Sequence, residues 1–241
     1  MKAMIFAAGL GTRLHPLTKN TPKALIDLGG ETLLERIIKK LRNYGFSEIV
    51  INVHHLADQI MAYLKANGNF GITIHISDER HQLLDTGGGL KQAAPLLKGN
   101  EPILIHNVDV LSDTDLNELV DFHLREEALA TLLVRERKTQ RYFLLDQNNR
   151  LVGWENMRTG ERKIPVPRKA ENARLLAFSG IHVVSPNLFN HISQTGTFSV
   201  IDTYLELAGN FKIVGFEDNK GTWMDIGKPE QLMKARRLFQ N

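Results

Sequence analysis

The chain has 241 residues, 42% hydrophobic and 24% charged, which is the makeup of a globular protein with room for a substantial core. A net charge of only +3, with no basic tail or stripe, argues against nucleic-acid binding, and no apolar stretch reaches membrane-spanning length. The lack of cysteine excludes disulfides and thiolate metal sites and suits a reducing compartment, so the cytoplasm is the expected location.

Met1 to Leu10 has the outline of a signal peptide, but Gly9, Gly11 and Arg13 break it at once, and Ala3 to Phe6 reads instead as a buried first strand. Leu33, Leu34, Ile37, Ile38 and Leu41 recur with helical period, and Gly45 is placed to stop that helix. Glu48 to Val53 predicts a strand, Leu56 to Leu64 a helix and Ile72 to Ile76 a strand. A cluster at Gly87-Gly88-Gly89 opens a helix ending near Pro95. Pro102 to His106 is a strand, Asp115 to Glu126 a helix and Leu129 to Val134 a strand. This alternation predicts a mostly parallel sheet with helices on both faces.

The second half is less regular. Tyr142 to Leu145 and Leu151 to Trp154 flank the turn-rich Asp146-Gln-Asn-Asn149 and predict a hairpin. Residues 160–172 predict a loop, Leu175 to Val184 one long strand or a pair, and Val200 to Ala208 a helix. Phe211 to Phe216 and Thr222 to Ile226 predict short strands, and Pro229 to Phe239 a closing amphipathic helix. With no repeat or linker, one domain is expected, with the later hairpin as a lid over one end of the sheet. Its halves are 1–135 and 136–241.

The loop after the first strand carries the strongest chemical signal. Two glycines, Gly9 and Gly11, let the backbone turn and come close to a ligand, and successive N–H groups there make an anion-binding concavity. Thr12 adds a hydroxyl, Arg13 a planar cation and Lys23 a point charge. Leu14 stands where a dinucleotide fingerprint needs its third glycine, and no Gly-Lys-Ser/Thr follows, so neither that motif nor a Walker loop is present. The loop and His106-Asn107-Val108-Asp109 both leave strands at their carboxyl ends, where open α/β sheets bind ligands. Asp109 is thereby a candidate ligand for a phosphate-bound Mg²⁺, whereas Ser112, Asp113 and Thr114 suit the cap of the next helix. Asp225, inside the apolar Trp223–Ile226 run, is either an exposed edge residue or a paired or metal-bound carboxylate. Gly87 and Gly88 offer a second phosphate- or base-binding loop, or simply a helix start. Arg135-Glu-Arg-Lys138 reads as a solvated strand end.

The run Ala8-Gly-x-Gly-Thr-Arg-Leu-x-Pro-Leu-Thr18 with Pro22-Lys23 resembles the opening motif of the NDP-sugar pyrophosphorylases, the sugar-1-phosphate nucleotidylyltransferases. The resemblance continues through Asn107-x-Asp109 and Phe178-Ser-Gly-Ile181 to Trp223-x-Asp225-x-Gly227. It implies the Rossmann-like mixed sheet and lid of that family, and the joining of a sugar 1-phosphate to an NTP with release of pyrophosphate. It further implies Mg²⁺ held by Asp109 and Asp225, with Arg13 and Lys23 as catalytic cations. Ala8, Gly9, Gly11, Thr12, Arg13, Thr86, Gly87 and Gly88 would bind the NTP, and Asn107, Gly180 and Glu155 the sugar phosphate. Trp154-Glu155-Asn156-Met157 lacks the Lys-Pro that follows the acidic residue in many relatives. The motif set favours UTP and an amino-sugar 1-phosphate, with no membrane partner, in a monomer or small homo-oligomer. The alternatives are mannose-1-phosphate guanylyl transfer and a non-catalytic regulatory module, the latter disfavoured because Arg13, Lys23, Asp109 and Asp225 are all present.

Overall fold

The computed structural model describes residues 1–166 and 170–239. Its first half alternates strands β1 (Lys2–Phe6), β2 (Glu48–Val53), β3 (Thr73–Asp78) and β4 (Ile103–Asn107) with helices α1 (Leu33–Asn43), α2 (Ala57–Ala66) and α3 (Asp85–Ala93). The four strands are parallel, in the order β3-β2-β1-β4. Then come β5 (Val110–Ser112), α4 (Leu116–Arg125), β6 (Ala130–Arg135), β7 (Arg141–Leu145), β8 (Leu151–Asn156), β9 (Glu161–Lys163) and β10 (Arg174–Val184). The described chain closes with α5 (Val200–Leu207), β11 (Ile213–Glu217), β12 (Trp223–Asp225) and α6 (Pro229–Phe239).

The apolar runs of the central strands reflect burial on both faces. Ala3 and Ile5 of β1, with Ile49 and Ile51 of β2, pack in the layer that holds α1, α2, α4 and α6. Met4 and Val50, one residue out of phase, pack in the opposite layer with α3 and α5. Helix α1 follows its sequence signals closely. Thr32 accepts a hydrogen bond from the Glu35 amide at the start, all five periodic apolar residues are buried, and Gly45 takes φ +82° just past the end.

The mixed character of the sheet comes from β10. Its second half lies antiparallel between β4 and β6, and β11 adds to β6 in parallel. Its first three residues pair instead with β7, which continues into β8 and β9 as the lid. One strand therefore serves both the central sheet and the lid. The predicted hairpin turn forms, with the Asp146 carboxylate accepting from the amides of Asn148 and Arg150.

Several expectations need correction. Asp115, not residues 112–114, caps α4, accepting from the amides of Asn117 and Glu118. Asp113 instead accepts from the Thr222 amide and anchors the approach to β12. The glycine cluster lies within α3, which starts at Asp85. The loop expected at 160–172 contains β9, and its residues 167–169 lie outside the described ones. β5 escapes sequence reading because three residues have no periodicity of their own and become a strand only by pairing with β12. Among the described residues no helix is long and apolar enough to cross a membrane.

Three histidines are fully packed inside this frame. Burial pushes His106 and His123 down to about 4 and His182 to about 3, from an ordinary value of 6.5. Each folds as the neutral ring, so the unfolded chain binds more protons once the pH drops below 6.5. The stabilisation is complete above that value and is lost as the pH falls toward 4, at roughly 1–2 kcal/mol per histidine by pH 5. The urea midpoint should fall markedly from pH 7 to pH 5; an unchanged midpoint would contradict this burial.

Candidate active site

A cleft of about 540 Å³ opens at the carboxyl ends of β1, β2 and β4. One wall is the loop after β1. Gly11 adopts φ +65°, and a Cβ there would lie 3.0 Å from Thr18 and 3.1 Å from the Lys23 stem, so the turn needs glycine twice over. The buried Thr18 hydroxyl donates to the Gly11 carbonyl at 2.8 Å and holds the turn closed. Gly9 has nothing within 4 Å of where its side chain would stand, leaving main chain bare to the cleft. Ala8, Gly9, Gly11, Thr12, Arg13 and Lys23 all line the space.

The opposite wall comes from the segment after β4. Asn107, Val108 and Asp109 face the same cleft, and the Asp109 carboxylate makes an ion pair with buried Lys23. β5 and β12 then form a two-stranded antiparallel ribbon in which Asp225 stands opposite Val110. The Ile226 amide donates to the Asp109 carbonyl at 2.7 Å, so backbone fixes the two aspartates side by side. Gly227 lines the cleft too; a Cβ on it would lie 2.7 Å from Asp225 Oδ1 and 2.8 Å from Arg13 Nη1. Arg13 and Asp225 thus flank one glycine that has no room for a side chain.

The electrostatics follow from that crowding. Burial above all, then the neighbouring Asp109 carboxylate, pushes the Asp225 carboxyl above its ordinary value, while Lys23, Arg13 and Arg137 pull it back. Asp225 Oδ1 is buried without a hydrogen-bond partner. A desolvated carboxylate oxygen beside a second carboxylate is a favourable place for a cation.

Other expected residues are placed differently. Gly87 and Gly88 donate their amides to the Phe198 carbonyl at 2.9 and 3.2 Å, so those N–H groups are not offered to a nucleotide. Their bareness serves packing: a Cβ on Gly87 would strike the Phe198 ring at 2.4 Å, and one on Gly88 the Gly196 carbonyl at 2.3 Å. Thr86 lines the cleft beside Asp85, and its hydroxyl accepts from the Val200 amide. Gly180 takes φ +76° at an irregularity in β10, where a Cβ would lie 2.9 Å from Asn107 Nδ2. Glu155 is on the lid and pairs with Arg162 at 3.2 Å, apart from the cleft lining.

Sequence reasoning missed a buried polar chain at the base of the cleft. The Ala7 amide donates to Asn52 Oδ1 at 2.7 Å, Asn52 Nδ2 donates to Glu79 Oε1 at 2.6 Å, and the Leu84 amide donates to Glu79 Oε2 at 3.2 Å. It ties the glycine loop to the start of α3. Gly89 makes space for it, since a Cβ there would lie 2.6 Å from Glu79 Oε1. Asn52, a polar residue at the carboxyl end of an otherwise apolar strand, was the available signal; Glu79 had none. Arg137 was also missed, because the charge run around it reads as solvated. Its guanidinium lies 4.3 Å from the Trp223 ring centroid.

The chain belongs to the nucleotidyl transferase family, whose model matches residues 2–241. Relatives along nearly the whole length are N-acetylmuramate alpha-1-phosphate uridylyltransferases. That of Caulobacter vibrioides is 32% identical, covering 97% of this chain and 94% of the relative. That of Neisseria meningitidis is 33% identical, covering 99% and 98%. Among solved structures, a UDP-glucose pyrophosphorylase from Acinetobacter baumanii superposes with a TM-score of 0.80 at 17% identity, over 99% of this chain and 92% of that one. The last likeness establishes the α/β fold.

The polar chain has a direct test. Asn52→Ala leaves the Ala7 amide and Glu79 without their partner, at a cost on the order of 1–3 kcal/mol. The variant should melt earlier and show a KM for nucleotide raised several-fold. A KM equal to that of the parent would mean that the chain does not hold the glycine loop.

Proposed function

We propose that this sugar-1-phosphate nucleotidyltransferase is a Mg²⁺-dependent uridylyltransferase that joins UTP to N-acetylmuramate α-1-phosphate and releases pyrophosphate. The observation that carries the reading is that Arg13, Lys23 and Asp109 line one cleft, with Asp225 close to Arg13 and Asp109 though not itself part of the lining. Similarity to two uridylyltransferases of nearly the same length supports the choice of nucleotide and sugar.

The donor set fits a divalent cation. Asp225 Oδ1 is buried and unpartnered, and Asp109 lies beside it. Among the described residues no three His, Cys, Asp or Glu side chains gather as a complete metal site. Two carboxylates with the remaining positions left to water and phosphate oxygens is the arrangement Mg²⁺ takes. When bound, it withdraws charge from the phosphate oxygens.

The chemistry needs alignment more than proton transfer. The second ionisation of a phosphate monoester is roughly 6, so the sugar phosphate is already a dianion near neutral pH. Its oxygen forms a bond to the α-phosphorus of UTP, while the bond from that phosphorus to the β-phosphate bridging oxygen breaks. Two anions must therefore be held in line against their mutual repulsion. Arg13, on the loop rim, meets the departing pyrophosphate, and the bare main chain at Gly9 lets the phosphates approach. Lys23, buried against Asp109, places a fixed positive charge where the α-phosphate and sugar phosphate meet. Asn107, at the end of β4 and against Gly180, faces the sugar side.

Substitution and a substrate panel test this. Asp109→Asn and Asp225→Asn should each abolish turnover without unfolding the protein, and chelation of divalent ions should do the same to the parent. Arg13→Ala should lower the rate by about 10²–10³, far more than Lys19→Ala. Pyrophosphate release should be fastest with UTP and N-acetylmuramate α-1-phosphate. A preference for GTP with mannose 1-phosphate would overturn the substrate assignment, and full activity of Asp109→Asn would overturn the site.

A further inference from the structure

β12 is only three residues long, yet it carries Asp225. One edge pairs with β5, and its approach is anchored through Thr222 to Asp113. Trp223 and Asp225, two residues apart on a strand, point to the same side. What covers that side is Arg137, from the connection between β6 and β7.

The contacts are specific. The Arg137 guanidinium carbon sits 4.3 Å from the Trp223 ring centroid. Its Nη2 donates to the Phe178 carbonyl at 2.9 Å, and Trp223 Nε1 donates to the next carbonyl, Ser179, also at 2.9 Å. These carbonyls lie where the β10–β6 register shifts, between Phe178 and His182. A stacked cation and indole thus bridge two neighbouring carbonyls of β10 and press on β12 from the face that bears Asp225. Stacking of this kind is attractive, and a planar guanidinium provides what an ammonium does not.

We propose that Arg137 is a positioning residue for nucleotidyl transfer: with Trp223 it forms a clamp between β10 and β12 that holds Asp225 in place. The inference rests on the role given to Asp225 above. It assigns Arg137 no contact with substrate. A displacement of about 1 Å at a reacting centre costs on the order of 10² in rate, so losing the clamp should show in kcat. On the reading above the nucleotide meets the loop after β1, and neither Arg137 nor Trp223 is among the residues lining that cleft, so KM for nucleotide should stay put.

Arg137→Met keeps the length of the side chain but removes its charge and fork. It should lower kcat about 10- to 100-fold with KM for UTP within about twofold. Arg137→Lys, which restores charge but not the planar stack, should recover only a small part of the loss. Trp223→Leu should match Arg137→Met, and the double variant should be no worse than the poorer single one, as members of one clamp require. Amide hydrogen exchange supplies a readout independent of activity: residues 222–227 should exchange at least about tenfold faster in both single variants, while β1 exchanges as in the parent. Wild-type kcat in Arg137→Met, a rise in KM that accounts for the loss, additive effects of the pair, or unchanged exchange at 222–227 would each overturn the proposal. If Asp225→Asn proves active, the role of Asp225 fails on its own, and the exchange data still decide whether the clamp exists.

Discussion

The cleft depends on one constraint: two carboxylates from distant parts of the chain must be held side by side although they repel. The β5–β12 ribbon imposes it, and the hydrogen bond from the Ile226 amide to the Asp109 carbonyl locks it. Because the contact is between backbones, it persists whatever the charge state of the side chains. The repulsion is offset by three cations brought from three other places: Lys23 after the glycine loop, Arg13 within it, and Arg137 beyond β6. A cleft assembled this way has its charges brought together by the fold itself.

Glycine has a second, less visible part in the design. Gly11 serves a left-handed turn, but Gly87, Gly88, Gly89 and Gly227 serve close approach, each to a different neighbour. Three consecutive glycines in a helix cost about 1 kcal/mol each relative to alanine. Here that cost is offset by the contacts they permit: the 196–198 segment packs onto α3, and Glu79 reaches Asn52 beneath it. That wall of the cleft is joined to the glycine loop by buried hydrogen bonds. β10 is its counterpart on the other side, shared between the central sheet and the lid.

The readable part of the sequence was the part governed by neighbours along the chain. Sequence pattern placed α1 and the four parallel strands β1 to β4 within a residue or two, and burial on both faces explains why those strands are so uniformly apolar. The glycine loop was legible as a wall of the cleft because its glycines, hydroxyl and cations lie within one short segment. Asp109 was legible as a residue of the cleft because the carboxyl end of a parallel strand is where such a sheet opens its crevice.

The remainder belongs to contacts between segments far apart in the chain, which carry no local period. β5 exists only because β12 pairs with it. Half-buried Asp225, whose Oδ1 has no hydrogen-bond partner, is set near Asp109 only by that pairing. Gly87 and Gly88 looked like a nucleotide cradle, and the Phe198 carbonyl took their amides instead. Arg137 looked like one charge in a solvated run, and Trp223 and β10 desolvated it. Local spacing thus specified which strands and turns could form, whereas the packing of remote segments settled which polar groups lost their water.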